Sequence, residues 1–332
     1  MKKETSRADF AARTSPKPSP IAVAEPQRWP CHLPRAHVAA PATRTATDAS
    51  NEVNVSLTMN EVERHYSMSG RLLADIHDGL LAMGKDIHKL APRDLETIDE
   101  FHIRGRAATL DLAHRLNIAT GSLVLDVGCG LGGPARTIAT NFKCHVVGID
   151  LTRDFCEAAR EISSWVGLSD SVKFVQGDAT ALDLGSATFD VAITMHAAMN
   201  IARKGAMYAG VRRCLKAGGR FGIYDVVQGE GGQVHFPVPW ARHASISHLA
   251  TPEQMRSLLE DAGFSVEQEI DSTEVSAAWF KNRLEMLRTT GAARLSFELF
   301  LGETYAEMVE NQVRNLMEGR IKTVMYVASA KS

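Results

Sequence analysis

Long hydrophobic runs are missing from this chain of 332 residues. No stretch approaches the ~20 consecutive apolar residues that a bilayer span requires. The N-terminus also lacks the apolar centre of a secretory signal. Cysteine is scarce: the five cysteines (Cys31, Cys129, Cys144, Cys156, Cys214) are odd in number and form no C-x-x-C pair. Neither a disulfide framework nor a zinc site is indicated, so a reducing, cytoplasmic compartment and no bound metal are expected. Charge of one sign is lacking as well, with 37 basic against 39 acidic residues and a formal net charge of -2. A broad basic face for nucleic acid gets no support from that balance. What is there is core material, since 45% of residues are hydrophobic, and this excludes disorder throughout.

Residues 1–52 concentrate proline among Ala, Ser, Thr and Arg without a sustained apolar period, and read as a disordered leader. From Asn60 to Leu116 apolar residues recur at helical spacing, as in Leu72, Leu73, Ile76, Leu80 and Leu81, so residues 53–120 read as a helical cap. The texture then changes to β-branched runs separated by helical segments. The runs are Leu123 to Val127, His145 to Asp150, Val172 to Val175, Phe189 to Ile193 and Arg220 to Tyr224. Strands alternating with helices imply an α/β fold with a parallel sheet over residues 121–332. A Gly- and Pro-rich connection from Gly229 to Trp240 precedes a helix opening at Thr251-Pro252, with Thr as N-cap. A further strand at Ser265 to Ile270, one helical stretch from Ala277 to Met317 and a last strand from Ile321 complete the pattern. Substrate recognition is expected around residues 229–318.

The strongest motif is Asp126-Val-Gly128-Cys129-Gly130-Leu-Gly132-Gly133-Pro-Ala-Arg, after a hydrophobic strand and opening a helix. Glycines let a backbone turn tightly against a ligand, and free N–H groups at a helix start favour its anionic end. Asp150 follows Gly130 by 20 residues, at the end of the second strand, where a carboxylate can accept ribose hydroxyls. The pattern thus reads as an adenosine site. Gly128, Gly130 and Gly133 also satisfy G-x-G-x-x-G, which leaves a nicotinamide dehydrogenase open. Asp126 weighs against it, being placed to meet the ammonium of a methionine moiety and to repel a pyrophosphate. Asp178-Ala179, after the third strand, is placed to read an adenine edge.

These motifs resemble the class I S-adenosylmethionine-dependent methyltransferases from about Glu61 onward. Within that group they are most similar to the branch holding sarcosine and dimethylglycine N-methyltransferases, sterol C-methyltransferases and quinone-biosynthesis C-methyltransferases. Asp99-Glu-Phe-His102-Ile-Arg104, Met195-His196-Ala-Ala-Met199-Asn200 and His235-Phe-Pro-Val-Pro-Trp240 add to the resemblance. It implies a Rossmann-like seven-stranded sheet of order 3-2-1-4-5-7-6, the last strand antiparallel, with S-adenosylmethionine as cofactor. It further implies Gly128, Cys129, Gly130 and Gly132 at the methionine end, Asp150 and Leu151 at the ribose, Asp178 and Ala179 at the adenine, and Met195 and His196 beside the sulfonium.

Transfer from a sulfonium is an in-line displacement, so alignment matters most and a base is needed only when the acceptor carries a proton at attack. His196, Asp225 and His235 are the candidate bases. His102, Arg104 and Asn200 are candidate substrate contacts, Arg104 through bidentate binding of a carboxylate. Trp240, between prolines and a loop, offers an indole face to a methylated ammonium. Methylation of a small amine such as sarcosine or dimethylglycine is the leading expectation. C- or O-methylation of a hydrophobic ring compound of quinone, sterol or phenol type is the alternative. The partner is a small-molecule acceptor, and the quaternary state, a homodimer included, stays open.

Overall fold

The computed structural model describes residues 61–66, 71–291 and 293–331. The leader expected at residues 1–52 lies outside them. Seven strands form one sheet: β1 (Leu123–Val127), β2 (His145–Asp150), β3 (Val172–Gln176), β4 (Phe189–Met195), β5 (Leu215–Gln228), β6 (Phe264–Asp271) and β7 (Ile321–Ala330). Their order is β3-β2-β1-β4-β5-β7-β6. The first five run parallel, and β7 lies antiparallel between β5 and β6. Strand β1 is buried along its whole length, which is why Leu-Val-Leu-Asp-Val carries no alternation. The edge strand β6 does alternate, from buried Phe264 to exposed Asp271.

Helices follow β1, β2 and β4, namely Gly133–Phe142, Arg153–Trp165 and Lys204–Cys214, whereas only the short turn Ala179–Ala181 lies between β3 and β4. The strand order reverses between β1 and β4, and a crevice opens there at the carboxyl ends of the strands. Residues 61–66 and the helix Leu72–Ala82 precede the sheet, and the latter buries Leu72, Ile76 and Leu80 as their spacing requires. The helix Pro252–Asp261 opens as the sequence suggests: Gln254 N–H donates to the Thr251 hydroxyl, and the Gln254 side chain accepts from Thr251 N–H.

Two expectations need correction. The stretch Ala277 to Met317 is three helices, Thr273–Thr290, Glu298–Leu301 and Tyr305–Met317, broken after Gly291 and Gly302, both at positive φ. Strand β5 begins before Arg220: Leu215 pairs with Phe189, the next pair is Arg220 with Val191, and the double glycine is the bulge between them. Among the described residues no helix is long and apolar enough to cross a membrane.

Candidate active site

Past Val127 the chain turns through Gly128 at φ 76°, and Gly128 and Cys129 N–H both donate to Ile149 O, at 2.8 and 3.1 Å. A Cβ on Gly128 would lie 2.3 Å from the Ala197 Cβ, so only glycine lets this turn pass under the segment after β4. Asp150 braces the turn from β2. Its carboxylate accepts from Gly130 N–H and Thr152 N–H, each at 2.9 Å. Burial raises its pKa, and these two amides pull the other way.

The turn floors a cavity of about 350 Å³. Gly128, Cys129, Gly130, Asp150, Leu151, Asp178 and Ala179 line one side, and Met195, His196 and Asn200 the other, with His102 reaching in from the segment before β1. These eleven expected residues come together. Asp178 also caps a short helical turn, its carboxylate accepting from Thr180 N–H and Oγ1.

Six expected residues do not line this cavity. Gly132 serves packing, since a Cβ there would lie 2.4 Å from the Phe174 ring. Asp126 points into the sheet interior's buried layer, where its Oδ2 has no partner among the described residues, and burial, with Asp150 and Glu100 nearby, pushes its carboxyl up to about 8. Asp225 is a backbone brace rather than a free base: it accepts from Met199 N–H at 3.1 Å and Val226 N–H at 2.8 Å. His235 is turned away, its Nε2 3.0 Å from the Glu318 carboxylate on the surface of the helix Tyr305–Met317 and the turn after it. Arg104 faces Asp111 at 3.6 Å. Trp240 is only 2% exposed and its indole N–H donates to Ser247 Oγ at 3.0 Å.

Trp240 belongs to a second, apolar cavity of about 40 Å³, walled by Phe101, Trp240, Trp279, Phe280, Phe297 and Tyr305, with Arg283 and Gln312 among them. Trp279 and the Phe297 to Phe300 pair, which helical spacing alone marks as core, thus face cavities, for Phe300 lines the first. Phe101, His102 and His196 are common to both cavities. His196 sits at φ 53°, an uncommon conformation for a side chain with a Cβ. Its Nδ1 lies 3.1 Å from Tyr224 O, which assigns the proton to Nδ1 and leaves Nε2 as an acceptor, 3.4 Å from Ile103 N–H. Burial, with His102 beside it, lowers its pKa to about 3, so the ring is neutral. His102 is held at 3.0 Å from Gly105 O and 3.1 Å from Thr109 Oγ1, and burial lowers it to about 4.

Sequence reasoning missed several residues. Tyr66 lines the first cavity, and its hydroxyl donates to Asn200 Oδ1 at 3.1 Å; Asn200 in turn donates to Trp240 O and Ile246 O, at 2.8 and 2.9 Å. Asp99 lines the same cavity, buried, with one oxygen paired to fully buried Arg136 and Oδ2 without a partner among the described residues. Burial raises the Asp99 pKa, with Arg136 opposing. Glu100 accepts from Thr109 Oγ1 and from Thr137 Oγ1, the latter at 2.5 Å. Asp99-Glu-Phe-His102 stood out as a motif, but nothing in it says which acid faces the ligand.

A pocket lined by Asp99, Asp150 and Asp178 suits a ligand that carries an ammonium and hydroxyls better than one that carries phosphates. Residues 124–219 match a methyltransferase domain model. Over 119 residues the chain is 41% identical to a sterol 24-C-methyltransferase of Eremothecium gossypii, covering 36% of this chain and 32% of that protein. Over 215 residues it is 27% identical to a sterol 24-C-methyltransferase of Clavispora lusitaniae, covering 62% and 57%. The chain therefore spans about a third to three fifths of the length of these relatives. Among solved structures, phosphoethanolamine N-methyltransferase 2 of Haemonchus contortus superposes with a TM-score of 0.63 at 17% identity, covering 82% of this chain and 60% of that one. Sequence domain and sheet order agree: the chain contains a methyltransferase domain at residues 124–219, set on a seven-stranded sheet of the order that the resemblance implies.

Proposed function

We propose that this chain transfers the methyl group of S-adenosylmethionine to a carbon atom of an apolar acceptor seated in the aromatic cavity. The observation that carries the reading is the wall shared by the two cavities, Phe101, His102 and His196, where a methyl group would pass from one to the other. The cofactor supplies an electrophilic methyl carbon on a sulfonium. In this reading Asp99 takes the cofactor's ammonium, Asp150 its ribose hydroxyls, and Asp178 with Ala179 its adenine. Bringing the two reactants together in a site that excludes water supplies most of the acceleration. As the new carbon–carbon bond forms and the carbon–sulfur bond breaks, the attacked carbon gives up a proton. His196, whose Nε2 lies on the shared wall and takes only a long 3.4 Å contact from Ile103 N–H, is the group placed to receive it once that contact is released.

The small-amine expectation gives way to its alternative on two grounds. The relatives just described carry the name sterol 24-C-methyltransferase, which denotes carbon methylation of an apolar molecule. The aromatic cavity also holds a resident cation, the Arg283 guanidinium 5.6 Å from the Phe297 ring centroid, which repels a second one. A dinucleotide fits no better, because Asp99 and Asp150 line the place its pyrophosphate would occupy.

The test is incubation of the full chain with methyl-labelled S-adenosylmethionine and, separately, an unsaturated sterol, an alkylphenol, sarcosine and dimethylglycine. Label on carbon in the organic extract is expected. Label confined to the nitrogen of sarcosine or dimethylglycine overturns the reading.

A further inference from the structure

Two histidines stand on the wall shared by the cavities, and their ring nitrogens are held in opposite ways. His196 Nε2 is engaged by Ile103 N–H, whereas the His102 ring is anchored through its own Nε2. That nitrogen lies 3.0 Å from Gly105 O and 3.1 Å from Thr109 Oγ1. A carbonyl only accepts, and the single proton of the Thr109 hydroxyl goes to the Glu100 carboxylate, so both oxygens accept from His102 and the ring proton sits on Nε2. The bare nitrogen is Nδ1. It has no hydrogen-bond partner among the described residues, and unlike Asp99 Oδ2 it is not sealed off from open space. Behind the ring, buried Glu100 brings its Oε2 to 3.7 Å from His102 Nε2 and also accepts from Thr137 Oγ1 and, at 3.4 Å, from Arg106 Nε. A neutral imidazole anchored in this way turns the negative end of its dipole toward the cavities.

We propose that His102 Nδ1 faces the positively charged methyl–sulfonium group of the cofactor, that Glu100 and Thr109 are positioning residues which keep that nitrogen bare, and that the site thereby distinguishes S-adenosylmethionine from S-adenosylhomocysteine. This rests on the proposed function only in placing the methyl group at the shared wall. The two nucleosides differ by one methyl group and one positive charge. The C–H bonds of a methyl group on a sulfonium are polarised by that charge, and a bare ring nitrogen accepts from them. The thioether of S-adenosylhomocysteine offers neither the charge nor the donor, so the contact is lost once the methyl group has left. A ring carrying its proton on Nδ1 instead would oppose the sulfonium with a positive N–H.

The experiment titrates the full chain by calorimetry with S-adenosylmethionine and, separately, with S-adenosylhomocysteine, and follows the ratio of the two dissociation constants. His102→Leu removes the nitrogen and should lower the preference for S-adenosylmethionine about three- to fivefold, the worth of one hydrogen bond to a polarised methyl group. His102→Asn sets an amide oxygen near the place of Nδ1 and should keep most of the preference, which separates the nitrogen from the shape of the ring. Nitrogen NMR of the histidine rings in the S-adenosylhomocysteine complex gives a readout without turnover: His102 should be protonated at Nε2 and bare at Nδ1. Glu100→Gln lets the Thr109 proton turn toward His102 and should populate the Nδ1–H form, a change that a merely structural role would not produce. An Nδ1–H ring in the wild type, an unchanged ratio in His102→Leu, or equal losses in His102→Leu and His102→Asn overturns the proposal. An unchanged ratio alongside methyl label on an apolar carbon removes the role of His102 and leaves the function intact. A lowered ratio with label found only on an amine nitrogen removes the acceptor reading and keeps His102.

Discussion

The two cavities that meet at His196 are built in different ways. The pocket proposed for the cofactor is lined mostly by short turns within residues 128–203: the loop after β1, the carboxyl ends of β2 and β3, and the segment after β4. The aromatic cavity, proposed for the acceptor, is lined by segments far apart in sequence, Phe101 to Ile103, Pro239 to Trp240, Trp279 to Arg283 and Phe297 to Gln312. A pocket built on strand ends has few ways to adjust, because moving it means moving a sheet. A side-chain-built cavity can repack around a changed residue at modest cost. The first therefore suits a constant cofactor, and the second a variable acceptor.

If that contrast is right, adding one methyl group on the cofactor side does more damage than trimming a large aromatic on the other. Gly128→Ala forces alanine to φ 76° and a Cβ to 2.3 Å from Ala197. The expected loss is about 2–3 kcal/mol of unfolding free energy, and at least about tenfold in S-adenosylhomocysteine affinity. Urea denaturation and calorimetry measure the two. A Gly128→Ala protein that binds the nucleoside normally would show that the turn yields, and the contrast would fail.

The regions differ in acid chemistry too. Burial raises Asp99, Asp126 and Asp150 around the cofactor, whereas it lowers His102 and His196 at the junction. For Asp126 the folded pKa is about 8, well above the ordinary value of 3.8. The folded chain then holds a proton that the unfolded chain has released, so this group's contribution falls as pH rises from about 4 and levels off past about 8. Between pH 6.5 and 8 the stability difference between Asp126→Asn and wild type should widen by about 1–2 kcal/mol in favour of the variant. Denaturation curves for the two proteins at both pH values decide it. Differences that stay constant with pH would mean that Asp126 is ionised throughout.

The contrast also explains what could be read from the chain before folding. Strands β1, β2 and β4 are mostly buried runs rich in β-branched residues, and β1, β2 and β3 each end at or just before a glycine or acid, so the fold and that side of the pocket share one local signal. Asp150 is legible for the same reason, 20 residues beyond Gly130. Asp99 is not, because its place depends on the close approach of its carbonyl to Gly133, where a Cβ would come within 1.8 Å of that oxygen. Trp279, Phe297 and Gln312 sit at spacings that serve equally for a helix in a core. Only the packing of three separate helices turns them toward one space. His235 and Asp225 mislead in the other direction, as chemically able groups near strand ends whose partners, Glu318 and the Met199 and Val226 amides, are invisible to a local reading.

The smallest expected effect is the sharpest test of the acceptor side. Trp240→Phe keeps an aromatic ring in the wall and removes the indole N–H that donates to Ser247, a loss of about 1 kcal/mol in stability at most. Trp240 does not line the cofactor pocket, so the S-adenosylhomocysteine affinity should stay as it is while the affinity for an apolar acceptor shifts by a few fold through the altered wall. Its carbonyl bond to Asn200 is a backbone contact and survives the substitution. Titration of both ligands against the variant separates the cavities directly. Equal weakening of nucleoside and acceptor would mean that the Tyr66, Asn200 and Trp240 chain ties the two spaces into one rigid site, and that the acceptor cavity is as fixed as its neighbour.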